Sequence, residues 1–166
     1  VAQLDEAAFS AFYATQARQL WAYVYRVTGN SADADDVVQE AFLRLLRSGP
    51  GTNDEERRRF LFRVASNLMV DRWRRGKREG RDQPESVPEV AVPARAPDDD
   101  VARTFAELSA RERALLWLAY VEGATHQEIA ASLGVGTRSI KVLLFRAKRR
   151  LRGLLLSKGL SRTSSR

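Results

Sequence analysis

The sequence predicts an all-α protein: two small helical domains joined by a flexible linker rich in proline and acids. Three observations carry this. Apolar residues recur at helical spacing in the front and back thirds of the 166 residues. Glycines interrupt those patterns at Gly29, Gly123 and Gly134. Between them, residues 82–100 (DQPESVPEVAVPARAPDDD) hold four prolines, six acids and one arginine. Proline at that density forbids helix and favours an extended, semi-rigid tether. The expected units are residues 1–81, a linker over 82–104, a second unit over 105–156, and a disordered tail over 157–166.

The first helix is expected from near Asp5 to about Thr28, with Phe9, Phe12, Tyr13, Leu20, Val24 and Val27 at helical spacing. Gly29 and Asn30 stop it. The next opens at Ser31 with Asp33, Asp35 and Asp36 in its first turns, where acids suit the positive end of the helix dipole. Val37, Val38, Ala41, Phe42 and Leu45 form its buried stripe. Gln39 and Glu40 lie beyond the first turn, where the dipole no longer explains them, and so are candidates to face a protein partner.

Residues 48–53 (SGPGTN) read as a loop, with Asp54 placed to cap the next helix. That helix runs from Glu55 to about Arg75 with Phe60, Leu61, Val64, Leu68 and Val70 inward, decorated by Arg57, Arg58, Arg59, Arg63, Arg72, Arg74 and Arg75. Phe62 and Trp73 sit among these arginines. Aromatics interleaved with arginine form a stacking platform for single-stranded bases, and equally serve as core residues, the commoner role.

In the back half, Ser109 and Glu112 form a capping box opening a helix through Leu115, Leu116 and Leu118 to Val121. Thr125 and Glu128 open a second, with Ile129, Ala130 and Leu133 on one face. After Gly134, Val135 plugs the small core, and a third helix begins near Gly136 or Thr137. Helix, glycine turn, helix is the layout of a helix-turn-helix reader. No acid follows Glu128, while Arg138, Lys141, Arg146, Lys148, Arg149, Arg150 and Arg152 fill the third helix. A solvated face normally mixes signs, because like charges one turn apart weaken a helix. This one is built to lie against phosphate.

The net charge of +7 favours a polyanion as partner. Its distribution is uneven: residues 1–56 set four arginines against nine acids, and residues 57–81 set ten basic residues against two acids. Two kinds of partner are expected, a protein surface and nucleic acid. With no cysteine and one histidine, thiolate metal sites are excluded and neither metal nor cofactor is expected. No apolar run approaches the roughly 20 residues of a membrane span, and no signal-peptide pattern opens the chain. A cytoplasmic location is expected. There is no phosphate loop, and His126 has no nucleophile arranged around it, so the chain is not expected to be an enzyme.

The sequence resembles the extracytoplasmic-function (ECF) group of bacterial sigma factors, specificity subunits of RNA polymerase. In the front half the resemblance rests on DADDVVQEAFLRL (33–45) and FLFRVASNLMVDRWRR (60–75). In the back it rests on LSARERALLWLAYVEG (108–123), HQEIAASLGV (126–135) and RAKRRLR (146–152). It implies a region 2 domain and a region 4 domain. By resemblance, Asp36, Gln39, Glu40 and Leu43 dock on the coiled coil of the largest subunit of core polymerase, whose flap region is a further contact. The helix carrying Phe62, Arg63, Asn67, Asp71, Arg72, Trp73, Arg74 and Arg75 handles the −10 promoter element and holds its opened strand, with the loop at 49–54 beside Asn67 and Asp71 as a base pocket. Thr137, Arg138, Ser139, Lys141, Val142, Phe145, Arg146 and Arg149 meet the −35 duplex. The family also implies an anti-sigma factor as partner.

Two departures stand out. Relatives place small or polar residues at Val142 and Leu143 and often a polar one at Phe145. A three-helix unit buries Leu144 but cannot bury all of these, which leaves thymine methyls, the front domain or a protein partner as their contact. Gly136 replaces a common serine cap, a small change because glycine is tolerated there. The alternative function is a helix-turn-helix regulator that works without joining polymerase, which leaves the front half without a task.

Overall fold

A computed structural model describes residues 6–51, 53–79 and 99–159. All its elements are helical: α1 (Glu6–Thr28), α2 (Ser31–Ser48), α3 (Asp54–Arg78), α4 (Asp99–Ala106), α5 (Ala110–Leu116) running into a π-helical turn (Trp117–Val121), α6 (His126–Leu133) and α7 (Thr137–Ser157). Most of the expected tether and tail lies outside the described residues.

α1, α2 and α3 pack as a three-helix bundle. Phe12, Leu20, Tyr23, Val24 and Val27 of α1 bury against the expected stripe of α2 and against Leu61, Phe62, Val64, Ala65, Met69 and Val70 of α3. Each fully buried side chain such as Leu20 contributes about 1.5–3 kcal/mol. Tyr13, expected inward, is instead exposed on the rim of this core.

Asparagines set the helix starts. Asn30 Oδ1 accepts from the Asp33 N–H at 3.0 Å, so the residue read as a stop also caps α2. Asn53, not Asp54, caps α3, accepting from the Glu56 N–H at 2.9 Å. Asn53 is the last extended residue (φ −159°), which aims its side chain at the first turn; Asp54 is already helical and pairs with Arg57 at 2.8 Å. Arg57, expected on the surface, is buried, its guanidinium also donating to the Gly51 carbonyl at 2.8 Å.

In the back half, α4 begins at Asp99, inside the stretch assigned to the tether. The last proline is Pro97, so nothing forbids helix beyond it. α4 packs on α7 and buries Thr104. The Ser109–Glu112 capping box is present in both directions, at 3.2 and 3.0 Å. Gly134 ends α6 at φ +66°, the left-handed conformation that glycine adopts without strain. α7 then starts at Thr137, and Gly136 supplies no side-chain cap.

The two halves are docked on each other. α3 lies along α6, α1 meets α5, and the buried apolar side chains form a single cluster spanning both.

Candidate nucleic-acid interface

The spacing of α7 divides it into two faces. Ile140, Leu144 and Ala147 are buried and seat the helix on α5 and α6. Arg138, Val142, Phe145 and Arg149 recur every three or four residues on the other face, beside Lys141 and Arg146, and all are exposed. Thr137 and Ser139 lie exposed at its start. Phe145 is 64% exposed and Val142 49%, so neither packs on the front half. Leu143 is half-buried against the core. Two cations of this helix are turned back on the protein: Arg150 pairs with Glu112 at 2.6 Å, and the Lys148 ammonium lies 5.1 Å from the centre of the Tyr120 ring. Among the described residues, Arg138, Lys141, Arg146 and Arg149 carry no ion pair, which leaves an uncompensated positive face with two apolar side chains inside it.

α3 presents a different picture. Arg63, Asp71, Arg74 and Arg75 are exposed. Phe62 is in the core, 5% exposed, its ring 5.4 Å from Tyr23 with the Arg58 guanidinium 5.8 Å above it. It cannot stack on a base without leaving that core. Trp73 is half-buried against the same cluster. Arg72 is tied to Asp33 of α2 at 3.1 Å. Asn67 lies under α6: with its amide oriented so that the nitrogen faces them, its NH2 group donates to the carbonyls of Ala131 (3.2 Å) and Ser132 (2.8 Å).

Further contacts join the halves. Arg58 of α3 forms an ion pair with Glu122, just beyond the π-helical turn. Burial holds the Glu122 carboxyl above the ordinary carboxylate range, with Arg58 acting against that shift. Arg113 of α5 is buried and donates to three carbonyls: Ala106 (2.7 Å), Leu108 (2.6 Å) and, across the interface, Val27 near the end of α1 (2.6 Å). Burial lowers its pKa from the usual arginine value, with Glu112 opposing. Tyr23, whose hydroxyl meets Ser66 at 2.7 Å, has its pKa raised by burial and sets its ring 6.3 Å from Trp117. A cleft of about 870 Å³ opens beside this contact, lined by Gly49, Pro50, Arg58, Arg63, Glu122 and Thr125 among others.

Two apolar grooves complete the surface. One runs between α1 and α2 and is lined by Tyr13, Trp21, Gln39, Phe42, Leu43 and Leu46. Leu46 is 58% exposed, and Asp35 beside the groove accepts from the Trp21 indole N–H at 2.8 Å. Of the residues expected to meet a protein, Gln39 and Leu43 line this groove. Asp36 is exposed next to it, and Glu40 is paired with Arg44 at 3.0 Å. The other groove, between the π-helical turn and α7, is lined by Phe105, Trp117, Tyr120, Val121, Leu151 and Leu155. The sequence alone does not single out Tyr13, Leu46, Tyr120 and Val121 as contact residues. Their signal, a large apolar residue beside an otherwise complete stripe, becomes legible only when the stripe's true width is known.

Comparison with known proteins finds two family models on the chain. Residues 12–79 match the family model described as Sigma-70 region 2, and residues 98–151 match that described as Sigma-70, region 4. The chain is 34% identical to the ECF RNA polymerase sigma factor SigL of Mycobacterium tuberculosis, over 97% of this chain and 96% of the relative. It is 28% identical to the ferric citrate uptake sigma factor FecI of Escherichia coli, over 84% and 86%. Among solved structures it resembles the sigma factor RpoE of Bartonella quintana, crystallised with the anti-sigma factor NepR. That match has a TM-score of 0.68 at 22% identity and covers 93% of this chain and 98% of that one.

Proposed function

We propose a division of labour within this chain, which belongs to the ECF group of the sigma-70 family and therefore binds RNA polymerase and directs promoter recognition without itself being a catalyst. The front unit is the docking and strand-holding half, and the back unit is the duplex reader. The observation that carries the reading is the contrast between α7's uncompensated outward cations and the apolar groove on the acidic α1–α2 face.

Gln39 and Leu43, with Asp36 and Glu40 at the margin, dock on the coiled coil of the largest polymerase subunit. Apolar side chains in a groove rimmed by acids suit a mixed helical partner better than DNA, whose phosphates acids repel. The groove at Trp117, Tyr120 and Leu151 suits a helix of the polymerase flap region. Arg138, Lys141, Arg146 and Arg149 hold phosphates of the −35 duplex, with Thr137 and Ser139 adding hydroxyl contacts. Val142 and Phe145 lie on the same outward face and meet thymine methyls, the apolar marks that the major groove offers. The exposure of both side chains supports this reading.

On α3, Arg63, Asp71, Arg74 and Arg75 face the −10 strand directly, backed by Arg72, Trp73 and Asn67, and Phe62 supports them from the core. An anti-sigma factor belongs among the partners, and the place of work is the cytoplasm; no described helix is long and apolar enough to cross a membrane. Transcription by core polymerase over a promoter library tests the whole reading. Discrete transcript starts are expected only when the factor is added, and failure to bind core would overturn it.

A further inference from the structure

The loop between α2 and α3 is fastened by an arginine that does not itself reach the surface. We infer that Arg57 is a positioning residue for the opened strand: by holding the Gly51 carbonyl it sets the course of the loop, and through the loop it sets which bases of the −10 element the front unit accepts. This rests on the reading of α3 and the loop beside it as the holder of that strand.

Arginine is rarely buried, and a buried charge costs stability unless it is paired and hydrogen-bonded. Arg57 is 8% exposed. Its Nη1 donates to the Asp54 carboxylate and its Nη2 to the Gly51 carbonyl, both at 2.8 Å. Among the described residues its Nε finds no partner, so these two contacts are what offsets the burial. The guanidinium is a rigid planar fork. With one prong on Asp54 the direction of the other is fixed, and Gly51 lies in it.

The loop needs such a hold, because Ser48-Gly49-Pro50-Gly51 contains two glycines, the residues of widest backbone freedom. At its start the Gly49 N–H donates to the Leu45 carbonyl at 2.9 Å. No side chain fits there: a Cβ on Gly49 would lie 2.5 Å from both Leu45 Cδ1 and the Leu45 carbonyl oxygen. Pro50 fixes its own φ. At the far end Asn53 caps α3. Between these points Gly51 is fixed by Arg57, and without it the middle of the loop is free to turn.

The loop also forms a wall of a charged and aromatic cleft. Ser48, Gly49 and Pro50 line the opening of about 870 Å³ together with Phe60 and Arg63 of α3, and the Arg63 guanidinium lies 5.6 Å from the centre of the Phe60 ring. An aromatic ring beside a cation is chemistry that takes a base with its phosphate. Arg57 is not among the residues that line this cleft, so its effect on a bound base passes through Gly51.

The test uses the full chain assembled with core polymerase on a promoter library randomised across the −35 and −10 elements. Transcript-start sequencing then gives two preference profiles from one reaction. For Arg57→Ala we expect the preference for best over worst base to fall at least about fivefold at one or two −10 positions, with the −35 profile unchanged. Arg57→Lys keeps the charge but reaches only one of the two acceptors, and should flatten the same positions by about two- to threefold. Gly49→Ala displaces the loop from its other end without altering any charge, and should flatten the same positions again.

Transcription that falls at all promoters alike in Arg57→Ala, with the −10 profile of the parent, would make the arginine merely structural and overturn the inference. So would −10 and −35 profiles that change together, or Gly49→Ala and Arg57→Ala flattening different positions. Should Arg57→Ala give no folded protein, Arg57→Lys and Gly49→Ala decide alone, and parent-like −10 profiles in both would overturn it. The double variant Arg63→Ala with Arg75→Ala separates the two levels. Loss of promoter opening there, with a parent-like profile in Arg57→Ala, sinks the positioning role alone, whereas normal opening and a parent-like profile in the double variant sink the proposed role of α3.

Discussion

α3 and α7 are both basic helices that read alike in the sequence, and they are used in opposite ways. α7 packs one face on its own unit and leaves the other exposed. α3 is gripped on several sides, by α1 and α2 through Leu61, Phe62, Ala65 and Met69, by α2 again through Arg72–Asp33, and by α6 at Asn67. The two helices share a charge pattern, and packing decides which of their cations stay exposed.

The contrast is sharpest in two phenylalanines. Phe62→Ala should cost about 3–5 kcal/mol of stability, since it empties a core site against Tyr23. Phe145→Ala should change stability by less than about 0.5 kcal/mol and instead alter which −35 sequences are used. Urea unfolding of both variants, with transcript-start sequencing of the second, checks the pair. Equal stability losses would erase the distinction between the two helices.

Arg113→Ala comes next, at about 2–3 kcal/mol, because three carbonyls, two of them in buried hydrogen bonds, lose a charged donor. Hydrogen exchange should show the protection loss at the end of α1 as well as in α5; protection lost in α5 alone would mean that the Val27 contact contributes little.

For DNA binding, the double variant Lys141→Ala with Arg149→Ala should reduce the slope of log affinity against log salt for duplex by about 2, one for each phosphate contact removed. The same pair of changes at Arg63 and Arg75 should leave the free protein's duplex slope nearly unchanged.

The smallest effect is on pH. Glu122 faces Arg58 and Glu55 of α3, and burial raises its pKa in the docked form. A carboxyl with a raised pKa takes up its proton more readily when docked, so its contribution favours docking as pH falls toward the carboxylate range and weakens it as pH rises. Scattering at descending pH should show a modest compaction that disappears in Glu122→Gln; a pH dependence unaltered by that substitution would assign it to other acids.

The stripes of α2 and α6 are legible in the sequence, as are the capping box at Ser109 and the glycine stop at Gly134, because each is local: a periodicity, an i,i+3 pair, a residue that tolerates the left-handed region. The features that are not legible depend on the partner of a side chain far along the chain. Arg57 looks like a surface arginine until the Gly51 carbonyl is seen to need a donor. Arg113 looks like a solvated member of an Ala-Arg-Glu-Arg run until Val27, 86 residues earlier, is placed beside it. α4 is hidden because six acids and four prolines dominate the reading of residues 82–100, although nothing after Pro97 opposes helix. Within the candidate site, α7's residues are readable because one helix presents them all to solvent. Asn67 and Phe62 are not, because burial by α6 and by Tyr23 is a tertiary event.

If α7 finds duplex and α3 holds an opened strand, permanganate reactivity of promoter thymines under the polymerase complex, read together with a footprint of the upstream duplex, separates the two helices. With Arg63→Ala and Arg75→Ala combined, the account predicts a normal upstream footprint with little thymine reactivity. With Lys141→Ala and Arg149→Ala combined, it predicts that the footprint itself is lost on duplex, while strand contact is retained on a promoter already unpaired at the −10 element. Identical defects in the two variants, on duplex and on the unpaired promoter alike, would contradict it.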